Sequence, residues 1–107
     1  MFITTANDFP DHHIERTLGE VFGLTVRSRN IGSQFGAGLK SIFGGELQGM
    51  TKMLAQGREQ AIQRLTEEAA RRGGNAIVAM RFDTPEIGDV WTEICAYGTA
   101  VRISPLG

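Results

Sequence analysis

The chain predicts an α+β fold, and three observations carry that reading. Residues 16–27 alternate apolar and other side chains with a period of two. Residues 46–72 repeat apolar side chains at helical spacing. Two further alternating stretches, 75–83 and 90–103, follow without a helix between them. The expected order is β, β, α, α, β, β. An alternating βαβ series would predict a doubly wound parallel sheet; this order predicts a small, antiparallel-rich sheet with two helices.

Phe2 to Thr5 reads as a brief strand, ended by Ala6, Asn7, Asp8 and Pro10. In the next strand Leu18, Glu20, Phe22, Leu24 and Val26 share one parity, and four of the five are apolar. That is the pattern of a half-buried strand with those residues inside. Gly19 and Gly23 point the other way, where small residues mark a bulge or the close approach of another backbone.

Asn30, with Ser33 as its competitor, is a candidate N-cap for a first helix. Ile31, Phe35, Leu39, Ile42 and Phe43 would form its apolar face, and Gly44-Gly45 would end it. A longer helix follows from Glu46 to Arg72. Leu47, Met50, Leu54, Ala61, Leu65 and Ala69 make its stripe, with Ile62 beside it. Glu68 and Arg64 stand four apart and can pair. Gly73-Gly74 close the helix, after Arg71 and Arg72 place positive charge at its negative end.

The strand 75–83 puts Ala76, Val78, Met80 and Phe82 on one face. Residues 84–89 form a turn. The strand from Val90 to Ile103 pairs back as a hairpin, with a bulge expected at Gly98 that changes the buried face.

With 107 residues the chain holds one domain, 1–107, and a thin core. Hydrophobic residues make up 41% and charged residues 21%, which excludes a disordered chain. Eleven basic side chains balance twelve acidic ones, so no nucleic-acid partner is expected. One cysteine, Cys95, excludes an internal disulfide. No apolar run approaches a membrane span or a signal peptide, and the cytoplasm is the expected location.

The ordered pieces of this sequence resemble a known family. They are Thr4-Thr5, Gly19 and Gly23, Asn30-Ile31, Ile42-Phe43-Gly44-Gly45, Arg58-Glu59 with Ala61, Gly74-Asn75-Ala76-Ile77-Val78, and Gly98-Thr99-Ala100-Val101. Together they resemble the YbjQ-like family of uncharacterised bacterial proteins, which carry a heavy-metal-binding description. The resemblance implies a ring-shaped homo-oligomer, usually a pentamer, with strands completed between subunits. It implies no reaction. The family's hairpin strand commonly carries two acidic residues around an apolar one; Arg81, Phe82 and Asp83 stand there in this chain.

Three functional classes stay open. The first is a ring that binds a small ligand or partner at its interfaces. Asp83, Glu86, Trp91 and Glu93 are its candidate ligand-binding residues, because Trp91 and Tyr97 share strand parity with Glu93 and Cys95. The second is a metal-binding or metal-sensing module, for which His12, His13 and Cys95 are the candidate ligands. Adjacent histidines on an extended chain point apart, and one cysteine cannot complete a structural zinc set, so the spacing supports no cofactor. The third is an enzyme using the carboxylates of the 83–93 hairpin, although no nucleophile–histidine–acid spacing is present. Gly32, Gly36 and Gly38 before Lys40-Ser41 superficially suggest a phosphate loop, but Leu39 interrupts the motif.

Assembly has a reason beyond the resemblance. A helix over 46–72 would be roughly 40 Å long, whereas a compact chain of this size has a radius of gyration near ~13 Å. A long strand such as 90–103 would also leave an open edge, which pairing around a ring would cover.

Overall fold

The computed structural model describes residues 1–28, 43–87 and 91–106, and of residues 43–48 the backbone only. The elements are β1 (Phe2–Ile3), β2 (His12–Ser28), α1 (Phe43–Arg71), β3 (Ala76–Asp83), β4 (Glu86–Ile87) and β5 (Trp91–Pro105). The sheet order is β1-β3-β5-β2, with β4 paired to β5. β1 runs parallel to β3, and all other pairs are antiparallel. The fold is mixed α+β, and among the described residues one helix packs on a curled sheet. The expected first helix falls largely on residues 29–42, outside the described residues, as do the phosphate-loop-like glycines and residues 88–90 of the turn.

α1 starts earlier than the sequence predicts. Gly44 and Gly45 lie inside it rather than ending a preceding helix. Each glycine costs about 1 kcal/mol in a helix, which a run of 29 residues outweighs. The C-terminus follows the expectation. Gly73 takes φ +86°, Gly73 N–H donates to Ala70 O (3.0 Å) and Gly74 N–H to Ala69 O (2.9 Å). These are the two hydrogen bonds of a Schellman cap.

The buried row on α1 is Met53, Gly57, Ala61, Leu65 and Ala69, flanked by partly buried Met50, Leu54 and Ile62. Met53 and Gly57 join the stripe that the sequence marks. Glu68 does not pair with Arg64. It accepts from Arg71 Nε (3.1 Å) and lies 3.4 Å from Arg72 Nε. Arg64 instead reaches the carbonyl of Leu24.

The helix covers the face of β2 opposite to the one predicted. Val21, Gly23 and Thr25 are buried beneath it, while Phe22, Leu24 and Val26 are exposed. The reason is steric. A Cβ at Gly23 would stand 2.5 Å from Leu65 N and closer still to Ala61 O, so the helix backbone rests on the glycine itself. Ile94, Ala96 and Ala100 of β5 complete this floor, and with Val21, Ala61, Leu65, Ala69 and Ile77 they form the main core. Beside it, Thr25 Oγ1 and Arg27 Nη2 both donate to Gln60 Oε1 (2.6 and 3.0 Å), tying β2 to α1.

The predicted single face for Ala76, Val78, Met80 and Phe82 is broken. β3 changes register between Val78 and Arg81, and Ala79 takes φ +54°. The bulge thus lies in β3, not at Gly98. Gly98 sits opposite it, where a Cβ would meet Ile77 Cγ2 at 2.8 Å and Val78 O at 3.0 Å. Ala76 and Val78 therefore turn away from the helix and, with Val101 and Ile103, form a second small core under Phe9 and Ile14. Register shifts at Glu15 and Leu18 bend β2 over it. The segment 90–103 is not an edge, because β5 lies between β3 and β2; among the described residues the long open edge belongs to β2.

Candidate functional site

Among the described residues α1 covers one face of the sheet and nothing covers the other, and strand parity fixes what stands there. Cross-strand partners share a face. The ladder pairs Phe22 with Tyr97, Leu24 with Cys95, Val26 with Glu93 and Ser28 with Trp91. On the other flank it pairs Arg81 with Tyr97, Asp83 with Cys95 and Ile87 with Trp91. Phe22, Leu24, Val26, Ile87, Trp91 and Tyr97 are each between 36% and 54% exposed. Large apolar side chains in that density on one open face are the mark of an interaction surface.

Three of the four predicted ligand-binding residues are brought together here. Trp91, Glu93 and Asp83 share the open face, with Cys95 between the two acids. Glu86 does not join them. It pairs with Thr92, whose side chain is buried on the helix side. Glu93 N–H donates to Pro85 O (3.0 Å), which holds the base of the hairpin. The departure at Arg81-Phe82-Asp83 is accommodated: Phe82 faces the helix opposite Ala96, and Arg81 Nη1 donates to Thr5 O (2.8 Å) and Met80 O (2.9 Å).

Burial, and then the charges of Glu93, Asp83 and Glu20, push the Cys95 thiol above its ordinary range. Thiolate is the form that attacks electrophiles and binds metals, so its neighbours hold Cys95 in the unreactive form. The histidines lie at the far end of the sheet. His13 pairs with Ser104, nine residues along β5 from Cys95 or about 30 Å at strand rise. His12 Nδ1 contacts Pro10 O at 2.9 Å, and its ring packs against Phe2 and Phe9. His12, His13 and Cys95 therefore do not converge within one chain. Among the described residues no group of three or more His, Cys, Asp or Glu side chains is placed to hold a metal ion.

The sequence missed Phe22, Leu24 and Val26 as surface residues, since their parity reads equally well as a core face. The available signal was on the opposite parity, where Gly19 and Gly23 leave room for a helix and Gly57 and Ala61 supply its matching small positions. It also missed the arginines that reach the open β2 edge. Arg72 Nη1 donates to Glu20 O (2.8 Å) and Leu18 O (3.4 Å), and Arg64 to Leu24 O.

Residues 1–104 match the family model described as "Putative heavy-metal-binding". The chain belongs to the YbjQ-like family. It is 69% identical to a UPF0145 protein of Acidothermus cellulolyticus over 99% of this chain and 98% of that one. A UPF0145 protein of Streptomyces coelicolor is 59% identical over 97% and 98% of the two chains. One of Limosilactobacillus fermentum is 51% identical over 95% and 90%. The crystal structure of a DUF74-family protein of unknown function from Pediococcus pentosaceus superposes with a TM-score of 0.65 at 20% identity, over 97% of this chain and 98% of that one. That likeness establishes the YbjQ-like chain's fold. Among the described residues no helix is long and apolar enough to cross a membrane.

Proposed function

We propose that this YbjQ-like chain is the subunit of a homo-oligomeric ring, and that the open face of its sheet is the surface on which it meets its neighbour. The single observation that carries the reading is the set of six large apolar side chains on that face. The described residues of a lone chain leave them exposed. The shape agrees, because the radius of gyration is 17.6 Å, against about 13 Å for a compact chain of this length.

Charge favours a ring over a back-to-back pair. Glu20, Asp83 and Glu93 lie on the open face with Arg81, whose guanidinium already serves Thr5 and Met80. A two-fold dimer through this face would bring the three carboxylates of each copy into one drying interface, which is repulsive. A head-to-tail contact presents a different surface to these acids, and one whose rotation closes makes a ring. The family resemblance supplies five as the copy number. Trp91 and Tyr97 would then wall the seam, and Asp83 and Glu93 would be its polar groups for a small ligand.

Light scattering on a size-exclusion column tests this. Five copies of the 11.7 kDa chain give about 58 kDa for a closed ring. A monomer peak at micromolar concentration would refute the assembly, and native mass spectrometry of the same sample would detect any retained ligand.

A further inference from the structure

A second concavity lies on the helix-covered side of the sheet, apart from the open face. It is a pocket of about 320 Å³ against the flank of α1. Thr51, Leu54, Ala55 and Arg58 of the helix line it, with Ile94 of β5 and Thr84 just after β3. Its volume is at the small end of the range for ligand pockets, about 300–1,000 Å³. No aspartate or glutamate is among these lining residues.

Arg58 is the distinctive group. Its guanidinium carbon lies 4.5 Å over the centroid of the Phe82 ring. The other arginines from 58 to 72 are committed: Arg64 to Leu24 O, Arg71 to Glu68, and Arg72 to Glu68 and Glu20 O. Among the described residues Arg58 has no such carbonyl or carboxylate. Stacking on an aromatic ring occupies the face of a guanidinium and leaves its in-plane N–H donors free. Those donors form the fork that receives a carboxylate through two parallel hydrogen bonds. Buried Ile94 and partly buried Leu54 offer an apolar body a surface to lie against, with exposed Ala55 at its rim.

We propose that this pocket binds a small organic carboxylate, its apolar body against Leu54, Ala55 and Ile94 and its carboxylate on Arg58. Phe82 holds the guanidinium at the mouth. The site lies on the other side of the sheet from the open face, and every group it uses belongs to one chain.

The test is a titration of the full chain followed by amide chemical shifts, with hexanoate as probe and hexanamide as its neutral counterpart. Hexanoate is expected to give saturable shifts at residues 51–58, 84 and 94, and hexanamide to bind at least about tenfold more weakly. Arg58→Gln should lose about the same factor, and Arg58→Lys should recover only part of it, since an ammonium keeps the charge without the fork. Ala55→Trp leaves Arg58 in place and fills the pocket from an exposed helix position, so it should abolish binding even if the Arg58 variants fold poorly. Equal binding of hexanoate and hexanamide, unchanged binding by a folded Arg58→Gln chain, or no saturable shift up to about 20 mM would overturn the proposal.

Discussion

Gly23 of β2 lies directly under Leu65 of α1, and a methyl group added at position 23 would stand 2.5 Å from the Leu65 amide nitrogen. The neighbouring obstacle, Ala61 O, is backbone as well. Neither can move aside without lifting the helix off the sheet. Gly23→Ala is therefore expected to destabilise the fold by about 1–3 kcal/mol or more, read as a lower urea midpoint. Gly57→Ala is the informative contrast. There the added methyl meets the tip of the Ile94 side chain, which can rotate. Alanine also gains about 1 kcal/mol of helix propensity. The net change at position 57 should be clearly smaller than at 23.

Periodicity made the long helix and the three long strands legible, but not which side of β2 faces inward. An alternation of period two names two faces and ranks them only by hydropathy. By that ranking Phe22, Leu24 and Val26 belong inside. The helix chose the other side because its backbone needs a floor without side chains, and Gly23 provides one. The open-face cluster was half legible: Trp91, Glu93 and Cys95 share parity along one strand, whereas their partners on β2 depended on the sidedness. The bulge was placed at Gly98 because glycine marks irregular strands. It formed instead at Ala79, a residue type that rarely takes positive φ, and Gly98 is small because the bulge presses on it.

The β2 edge depends on arginines. Arg64 and Arg72 donate to carbonyls of Leu24, Glu20 and Leu18 that β5 does not reach. Each substitution to alanine should cost about 0.5–1.5 kcal/mol. The two arginines share no partner carbonyl, so the double variant should be additive within about 0.5 kcal/mol. Edge carbonyls left bare also template strand addition. The double variant should therefore aggregate faster than the parent in a turbidity assay at elevated temperature, and an unchanged rate would show that the arginines do not guard the edge.

Cys95 should be a slow thiol. Burial and the charges of Glu93, Asp83 and Glu20 raise it above its ordinary value of 9.0. Alkylation by iodoacetamide at pH 8 should be slower in the folded chain than in denaturant. Asp83→Asn and Glu93→Gln should each accelerate it in the folded chain. The linkage has a definite sign. The folded state holds this proton more tightly than the unfolded state, so the contribution to stability is complete below pH 9.0 and is lost as pH rises through the raised value. Cys95→Ala should flatten that alkaline decline.

Phe22→Asp separates an interface from a core. Phe22 is 54% exposed on the single chain and pairs with Tyr97 at the middle of the open face. If the face stays in water, a polar substitution there should change stability by no more than about 0.5 kcal/mol and leave the mass in solution unchanged. If the face is covered by a neighbouring copy, the aspartate must be desolvated beside the apolar residues of the seam and near Glu20, Asp83 and Glu93, and the seam opens. The expected outcome is a shift of the light-scattering mass from the assembled value toward 11.7 kDa at micromolar concentration, with helical circular dichroism retained. Trp91→Glu, at the other end of the same face, should do the same. A third substitution tests the head-to-tail contact: Glu67→Lys, on the exposed side of α1, leaves the open face untouched, and an assembly that survives it does not seat its neighbour on this part of the helix. If Glu67→Lys dissociates it as well, the neighbour's open face meets this helix, which is the head-to-tail contact that a ring requires.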